Sequence, residues 1–164
     1  LWEWYNVGAA RLQGVELTGA WDVTRTLTLR GSYSFTDSEQ KTGDYAGLPL
    51  NRTPRHTASL TADWQTPVEG LGAWGSANYH GREVAAGARI GTNGTPYAFD
   101  AEGNAIAYEY ASYLTVDLGV DYQLTDRVTA NAAIYNVLDR EVTTASNSTE
   151  GEGRRLWVGL TSSF

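Results

Sequence analysis

The side chains able to do covalent or metal chemistry are few in this chain of 164 residues. Cysteine is absent, which excludes disulfides, thiolate nucleophiles and cysteine-based zinc sites. The two histidines are His56 and His80, and a metal site would need further ligands around them. Serines are frequent, but no nucleophile-elbow pattern accompanies them. The sequence therefore predicts structural or surface roles for both histidines, no cofactor or metal site, and no enzymatic activity.

A second set of side chains suits binding rather than catalysis. Two arginines and three tyrosines lie within or beside the long segment 83–112, namely Arg82, Arg89, Tyr97, Tyr108 and Tyr110. Guanidinium groups and aromatic rings bind suitable ligands through charge and cation–π contacts. These five residues are the candidate ligand contacts. The alternative is that they are solvated loop residues, and the sequence does not fix which of them touches a ligand.

Charge and hydropathy exclude two broad classes of protein. The formal net charge is -7, and nucleic-acid binding requires a basic face, so nucleic acid is excluded as a partner. The mean hydropathy is -0.37, and no apolar run reaches the roughly 18–20 residues of a spanning helix. Strands that alternate apolar and polar residues also give a polar average, so a membrane role through strands stays open.

In the segments that position these residues, apolar and polar side chains alternate with a period of two residues. In the segment 114–124 the even positions are apolar or aromatic and the odd positions are polar or glycine. A helix would mix the two sets around its circumference, whereas a strand separates them onto opposite faces. The same alternation recurs along the chain and predicts seven strands, roughly 1–21, 26–37, 55–65, 71–82, 112–124, 127–138 and 154–164.

The connections between these strands alternate in length. Residues 22–25, 65–70 and 125–126 form short turns, whereas 38–54, 83–112 and 139–153 form long polar segments. Short turns on one side and long loops on the other are typical of an outer-membrane barrel, and a soluble sandwich has no reason to sort its loops in this way. The sequence therefore predicts an all-β, antiparallel transmembrane barrel.

Aromatic residues on the apolar positions sort to the two ends of the predicted strands. Such belts are expected at the two membrane interfaces, and the predicted girdle comprises Trp21, Trp64 and Tyr122 at the turn end and Tyr33, Phe35 and Tyr79 at the loop end. The last strand ends in a terminal aromatic residue after alternating apolar positions. It resembles the signal that barrel-assembly machinery recognises, formed here by Leu156, Val158, Leu160 and Phe164.

Four blocks of sequence resemble motifs of one family. They are NVGAAR with GVEL at 6–17, GLPLNRTPRH at 47–56, IYNVLDR at 134–140 and GRRLW at 153–157. Together they resemble TonB-dependent outer-membrane receptors, in the order that the family has them. The block IYNVLDR resembles the family's Asn-Leu-Phe-Asp-Lys form, with Val137 and Leu138 where Leu and Phe are commoner. Residues 36–41 and 51–54 resemble the branch that takes up ferric catecholates such as enterobactin.

The resemblance implies a larger fold than the seven strands. Members of this family form a barrel of about 22 strands around an N-terminal plug. We therefore expect residues 1–164 to be the C-terminal barrel portion, with further strands, the plug and the TonB box outside this chain. Polar wall residues facing the plug would include Arg30, Asp63, Asp117 and Asp121.

The resemblance also implies a function and partners. The expected function is uptake of a ferric siderophore, of catecholate type, through the bacterial outer membrane, with energy supplied by TonB and iron carried only in the ligand. The expected partners are the siderophore, TonB through the N-terminal region, barrel-assembly machinery and outer-membrane lipid. The alternatives are another ligand in the same family, such as cobalamin, haem or a saccharide, and a non-transport barrel such as an adhesin or an outer-membrane enzyme.

Overall fold

The computed structural model describes residues 8–43, 45–86, 89–90, 95–96, 102, 107–142 and 153–163. Within these ranges the chain is all-β, and it contains no helix long and apolar enough to cross a membrane. The strands are β1 (Ala10–Asp22), β2 (Leu27–Gln40), β3 (His56–Gln65), β4 (Leu71–His80), β5 (Glu83–Ala86), β6 (Arg89–Ile90), β7 (Thr95–Pro96), β8 (Ala107–Tyr110), β9 (Tyr113–Thr125), β10 (Val128–Tyr135) and β11 (Arg155–Ser162).

Seven strands form one antiparallel sheet, in the order β1-β2-β3-β4-β9-β10-β11. These are the seven strands that the alternation predicts, and short turns and long connections alternate between them as expected. Two small sheets, β5 with β8 and β6 with β7, lie within the connection from β4 to β9. The sequence predicts a loop for this connection, because its paired segments are too short to show a clear period.

Several strand ends differ from the prediction. Strand β1 begins at Ala10 instead of 1, since the described residues Gly8 and Ala9 before it are not in a strand. Strands β4 and β11 end at His80 and Ser162, each two residues before the predicted end.

Strand β2 continues to Gln40, three residues beyond the predicted end at 37, because β1 supplies partners as far as Ala10. Strand β10 ends at Tyr135 instead of 138. Asn136 follows with φ of 51°, a left-handed conformation that an extended strand cannot contain.

The sheet has an apolar face and a polar face, which the register separates row by row. One row across five strands consists of Leu17, Tyr33, Ala58, Tyr79 and Leu114. The next row, which points to the other face, consists of Thr18, Ser32, Ser59, Asn78 and Thr115. The predicted separation of side chains onto two faces is therefore confirmed.

The apolar face is not covered by another layer of this chain. Among the described residues the only buried apolar side chain is that of Ala133. Large apolar side chains on this face are highly exposed, with values of 77% for Leu156 and 80% for Val158. A soluble sandwich would bury these rows against a second sheet, so the exposed face indicates a wall that meets hydrocarbon.

The six predicted girdle residues lie on the apolar face. Trp21, Trp64 and Tyr122 stand in the rows next to the short turns, and Tyr33, Phe35 and Tyr79 stand near the long connections. Leu156, Val158 and Leu160 share this face on β11, whereas Phe164 lies outside the described residues. Their roles as membrane girdle and assembly signal stay predictions.

Candidate functional site

The candidate ligand contacts lie at the loop end of the sheet, around the β5–β8 hairpin. Arg82 directly precedes this hairpin, and its exposed guanidinium donates through Nη1 to Glu109 Oε2 at 3.2 Å. Tyr110 is the cross-strand partner of Glu83 at the base of the same hairpin. The structure thus brings Arg82 and Tyr110 to one site. Tyr97 and the side chains of Arg89 and Tyr108 lie outside the described residues.

Backbone hydrogen bonds fix this hairpin to the neighbouring connection. The amide of Arg52 donates to the carbonyl of Val84 at 3.1 Å, and the amide of Gly81 donates to the carbonyl of His56 at 2.8 Å. The connection 41–55 is itself tied to β2, because buried Gln40 donates through Nε2 to the carbonyl of Pro49 at 3.1 Å. The described residues at the loop end, 41–43, 45–55, 81–86 and 107–110, therefore form a hydrogen-bonded platform.

A cluster that the sequence does not predict lies at the base of the hairpin and is formed by His80, Glu83 and Tyr113. The side chain of Glu83 is only 4% exposed, and its Oε2 lies 3.2 Å from His80 Nε2. The His80 ring stacks on Tyr113 with centroids 5.0 Å apart. The His80–Glu83 spacing of three residues was visible in the sequence, but its meaning was not, because Tyr113 joins only through the pairing of β4 with β9.

The two histidines lie on opposite faces of the sheet. His56 belongs to the apolar face, where its Nδ1 lies 2.9 Å from the Tyr33 hydroxyl and its ring lies 5.3 Å from that of Phe35. His80 belongs to the polar face, opposite Thr57. In the described ranges no three His, Asp or Glu side chains gather closely enough to hold a metal ion.

The polar face carries a network of hydroxyl, amide and charged groups. The hydroxyls of Ser32 and Ser59 lie 2.7 Å apart, and Arg30 forms an ion pair with Asp63. Asp117 accepts the backbone amide of Asn136 at 2.8 Å. Three of the four polar wall residues named from the sequence therefore have protein partners. Asp121 lies beside Gly72.

An aromatic cluster interrupts this polar face near β11. The Trp74 and Tyr135 rings lie 6.3 Å apart, and the Arg155 guanidinium lies 5.4 Å from the centroid of Tyr135. Trp74 interrupts the apolar and polar alternation of β4, because this aromatic side chain points to the polar face. Its indole lies flat against Gly119, where an added Cβ would stand 2.3 Å from Cε2 of the ring. A side chain at that position would force the indole to move, because only hydrogen leaves room for the ring where it lies.

The block IYNVLDR forms a clamp at the base of the last long connection. The Asn136 side chain donates to the carbonyl of Arg140 and accepts the amide of Arg140, both at 2.9 Å. The carboxylate of Asp139 accepts the amide of Arg154 at 2.8 Å. The side chains of Asn136 and Asp139 therefore cap turn backbone, and Asp139 also ties the start of β11 to the end of β10.

The wall geometry and these motifs agree with comparison to known proteins. The sequence model described as TonB dependent receptor-like, beta-barrel, matches residues 1–137. The chain belongs to this family of TonB-dependent receptors. A relative, the iron-regulated outer membrane virulence protein of Vibrio cholerae, is 36% identical over 161 residues, covering 97% of this chain and 22% of the relative. The chain therefore spans about a fifth of that relative's length.

Solved structures show the same fold. A ferric enterobactin receptor mutant from Pseudomonas aeruginosa, in complex with enterobactin, gives a TM-score of 0.72 at 20% identity, covering 98% of this chain and 24% of that one. The pyoverdine outer membrane receptor of the same organism, bound to pyoverdine, gives a TM-score of 0.71 at 17% identity. The match covers 94% of this chain and 22% of that receptor.

Family membership assigns the two faces of the sheet. The chain lies in the bacterial outer membrane, so the apolar face meets lipid and the polar face lines the lumen. In such barrels the short turns are periplasmic and the long loops are extracellular. The β5–β8 hairpin, with Arg82 and Tyr110, therefore lies on the extracellular side. The family consists of receptors, which supports a non-enzymatic role.

Proposed function

We propose that the protein containing this chain takes up a ferric siderophore, of catecholate type, with energy supplied through TonB. The observation that carries the proposal is the 36% identity, over 97% of the chain, to an iron-regulated outer membrane protein. In this proposal residues 1–164 are the C-terminal part of a barrel of about 22 strands that encloses a plug. The siderophore is the cargo, and the protein holds no iron of its own.

The chemistry of the extracellular site supports an anionic, aromatic ligand. A ferric tris-catecholate presents negative oxygens and aromatic edges, which suit guanidinium and tyrosine side chains. Arg82 donates to Glu109 on β8, and its side-chain exposure of 70% leaves the guanidinium accessible to a ligand.

The second candidate is a different siderophore. A pyoverdine receptor shares the fold of this chain to the same extent as an enterobactin receptor, so the wall alone does not discriminate between the two ligands. The discriminating residues are expected in the extracellular loops and the plug, because these are the parts that a captured ligand touches.

Iron uptake from defined siderophores tests the proposal. The full-length gene is expressed in a host that lacks its own siderophore receptors, and uptake of radioactive iron is measured from a ferric catecholate and from ferric pyoverdine. We expect uptake from the catecholate, and its loss when the tonB gene is deleted. Uptake from pyoverdine alone would overturn the catecholate assignment, and uptake from neither would overturn siderophore transport.

A further inference from the structure

A band of charged side chains continues the apolar face of β1–β3 beyond its last aromatic row. That row is Val15, Phe35 and His56. The next rung toward the loop end pairs Gln13 with Asp37, and the rung beyond pairs Arg11 with Glu39. Each rung on one face advances about 7 Å along the strands. The charged band comprises Arg11, Asp37, Glu39, Lys41 and Arg55.

Shared ion pairs hold the cations of the charged band in place. Asp37 Oδ1 accepts from Arg55 Nη2 at 2.8 Å, and Asp37 Oδ2 accepts from Arg11 Nη2 at 3.1 Å. Glu39 Oε2 lies 3.3 Å from Arg11 Nη2 and 2.5 Å from Lys41 Nζ. Each carboxylate therefore serves two cations, and three cations stand against two carboxylates.

The cations of the charged band are both oriented and accessible. Arg55 is held at a second point, because its guanidinium carbon lies 5.9 Å from the centroid of the Phe35 ring. The side-chain exposures of Arg55, Arg11 and Lys41 are 64%, 48% and 41%. A guanidinium has five N–H donors, and the observed ion pairs engage only part of those of Arg11 and Arg55, so further donors are available to a ligand.

The opposite end of the same face has no comparable extension. There the described apolar face ends in rows that contain Trp21, Trp64 and Tyr122, and the strands turn within a few residues of these rings. On β1–β3 at the loop end, by contrast, two charged rungs stand between the aromatic row and the loops. Interfacial aromatic rings sit at the level of the head groups, so we expect charged rungs directly beyond the Phe35 row to meet the outer-leaflet head groups.

We propose that the charged band binds the phosphate of an outer-leaflet lipid head group. Arg55, Arg11 and Lys41 would donate to the phosphate oxygens, a geometry that guanidinium groups favour. Tyr33, Phe35 and His56 lie directly beneath and would pack against the apolar part of the same lipid, as interfacial aromatic residues do. The excess of cations makes the band complementary to an anionic head group. This proposal is independent of the ligand that the receptor transports.

The test compares lipid binding by the full-length protein and a neutralised variant. The protein is purified in a non-ionic detergent, and binding of bisphosphorylated lipid A is measured by native mass spectrometry. The double variant Arg55→Gln and Lys41→Gln should bind it about thirty-fold more weakly, since each basic residue near a membrane surface contributes about five-fold. Each single variant should lose about five-fold. A matched control, Arg25→Gln with Arg127→Gln, changes two arginines at the turn end and should leave binding unchanged.

Three further arms decide the source of the phosphate and the state of the fold. Dephosphorylated lipid should bind wild type as weakly as intact lipid A binds the double variant. Inorganic phosphate at the lipid's concentration should not displace the lipid. Equal binding with and without lipid phosphate, or full displacement by inorganic phosphate, would overturn the proposal. Heat-modifiable migration on gels reports the folded barrel, and an unchanged affinity in a folded double variant would also overturn it.

Discussion

The sheet and the extracellular platform are held together in different ways. The sheet repeats one device, a backbone ladder with apolar and polar rows on opposite faces, across seven strands. The platform uses individual contacts, such as the Arg52 amide to the Val84 carbonyl and Arg82 to Glu109. We therefore expect changes in the sheet to act on folding and insertion and, under the proposed function, changes in the platform to act on ligand binding. The following experiments test this division.

The largest loss of stability is expected when a charge is placed on the lipid-facing side of the sheet, midway through the membrane. Leu118 is 47% exposed and lies midway along β9 between Leu114 and Tyr122. Leu118→Arg should destabilise the folded barrel by about 2–4 kcal/mol, because the charge enters hydrocarbon. Unfolding in urea, in phospholipid vesicles, measures this free energy. The control Leu114→Arg places the same charge on the same face near the interface, and its cost should be about 1 kcal/mol or less.

Filling the space beneath Trp74 should have the next largest effect. Gly119→Ala places a Cβ within 2.3 Å of the indole and should destabilise the protein by about 1–3 kcal/mol through overpacking. Gly19→Ala is the matched control, because a Cβ at Gly19 meets no atom within 4 Å. The midpoint of urea unfolding compares the two. If Trp74→Ala fails to relieve the cost of Gly119→Ala, the indole is not its cause.

A smaller effect is expected at the clamp. Asp139→Ala removes the acceptor for the Arg154 amide and leaves alanine at φ of 51°, so stability should fall by about 1–2 kcal/mol. Asp139→Gly loses the same acceptor, but glycine tolerates the left-handed backbone conformation, so stability should fall by less. Thermal unfolding in detergent ranks the two variants. The reverse ranking would show that backbone conformation at 139 does not contribute.

The smallest effect on stability is expected in the platform. Arg82→Ala should leave the unfolding midpoint unchanged, because its ion pair with Glu109 is exposed and contributes little. Under the proposed function it should weaken binding of a ferric catecholate about five-fold, through loss of one cation–π or charge contact. Fluorescence quenching on the purified full-length protein measures the affinity. Arg127→Ala, at the turn end, serves as the control, and equal loss in both variants would argue against a ligand role for Arg82.

The sheet was predictable because lipid on one side and a polar lumen on the other impose a strict period of two. That pattern gave all seven strands and the face of every girdle residue. It misjudged the end of β2, because Asp37–Gln40 reads as a polar loop when pairing with β1 is unknown. It also misjudged the end of β10, because the left-handed conformation of Asn136 depends on hydrogen bonds to Arg140.

The candidate site was predictable only in part. Arginine and tyrosine in a long extracellular segment indicated a binding region, and Arg82 and Tyr110 do share the base of one hairpin. The buried Glu83 and its partners were not predictable, because they meet through the pairing of β4 with β9, across a gap of more than thirty residues. Contacts of this kind depend on tertiary structure and leave no local period.

The flattened indoles have a consequence for the passage through the barrel. Trp74 lies against Gly119, and Trp157 lies along its own strand over Gly159. An upright indole at either position would project across the bore, whereas these rings add little thickness to the wall. The two glycines therefore help to set the width of the lumen beside this wall. A bulkier residue at 119 or 159 would tilt a tryptophan away from the wall and narrow that space.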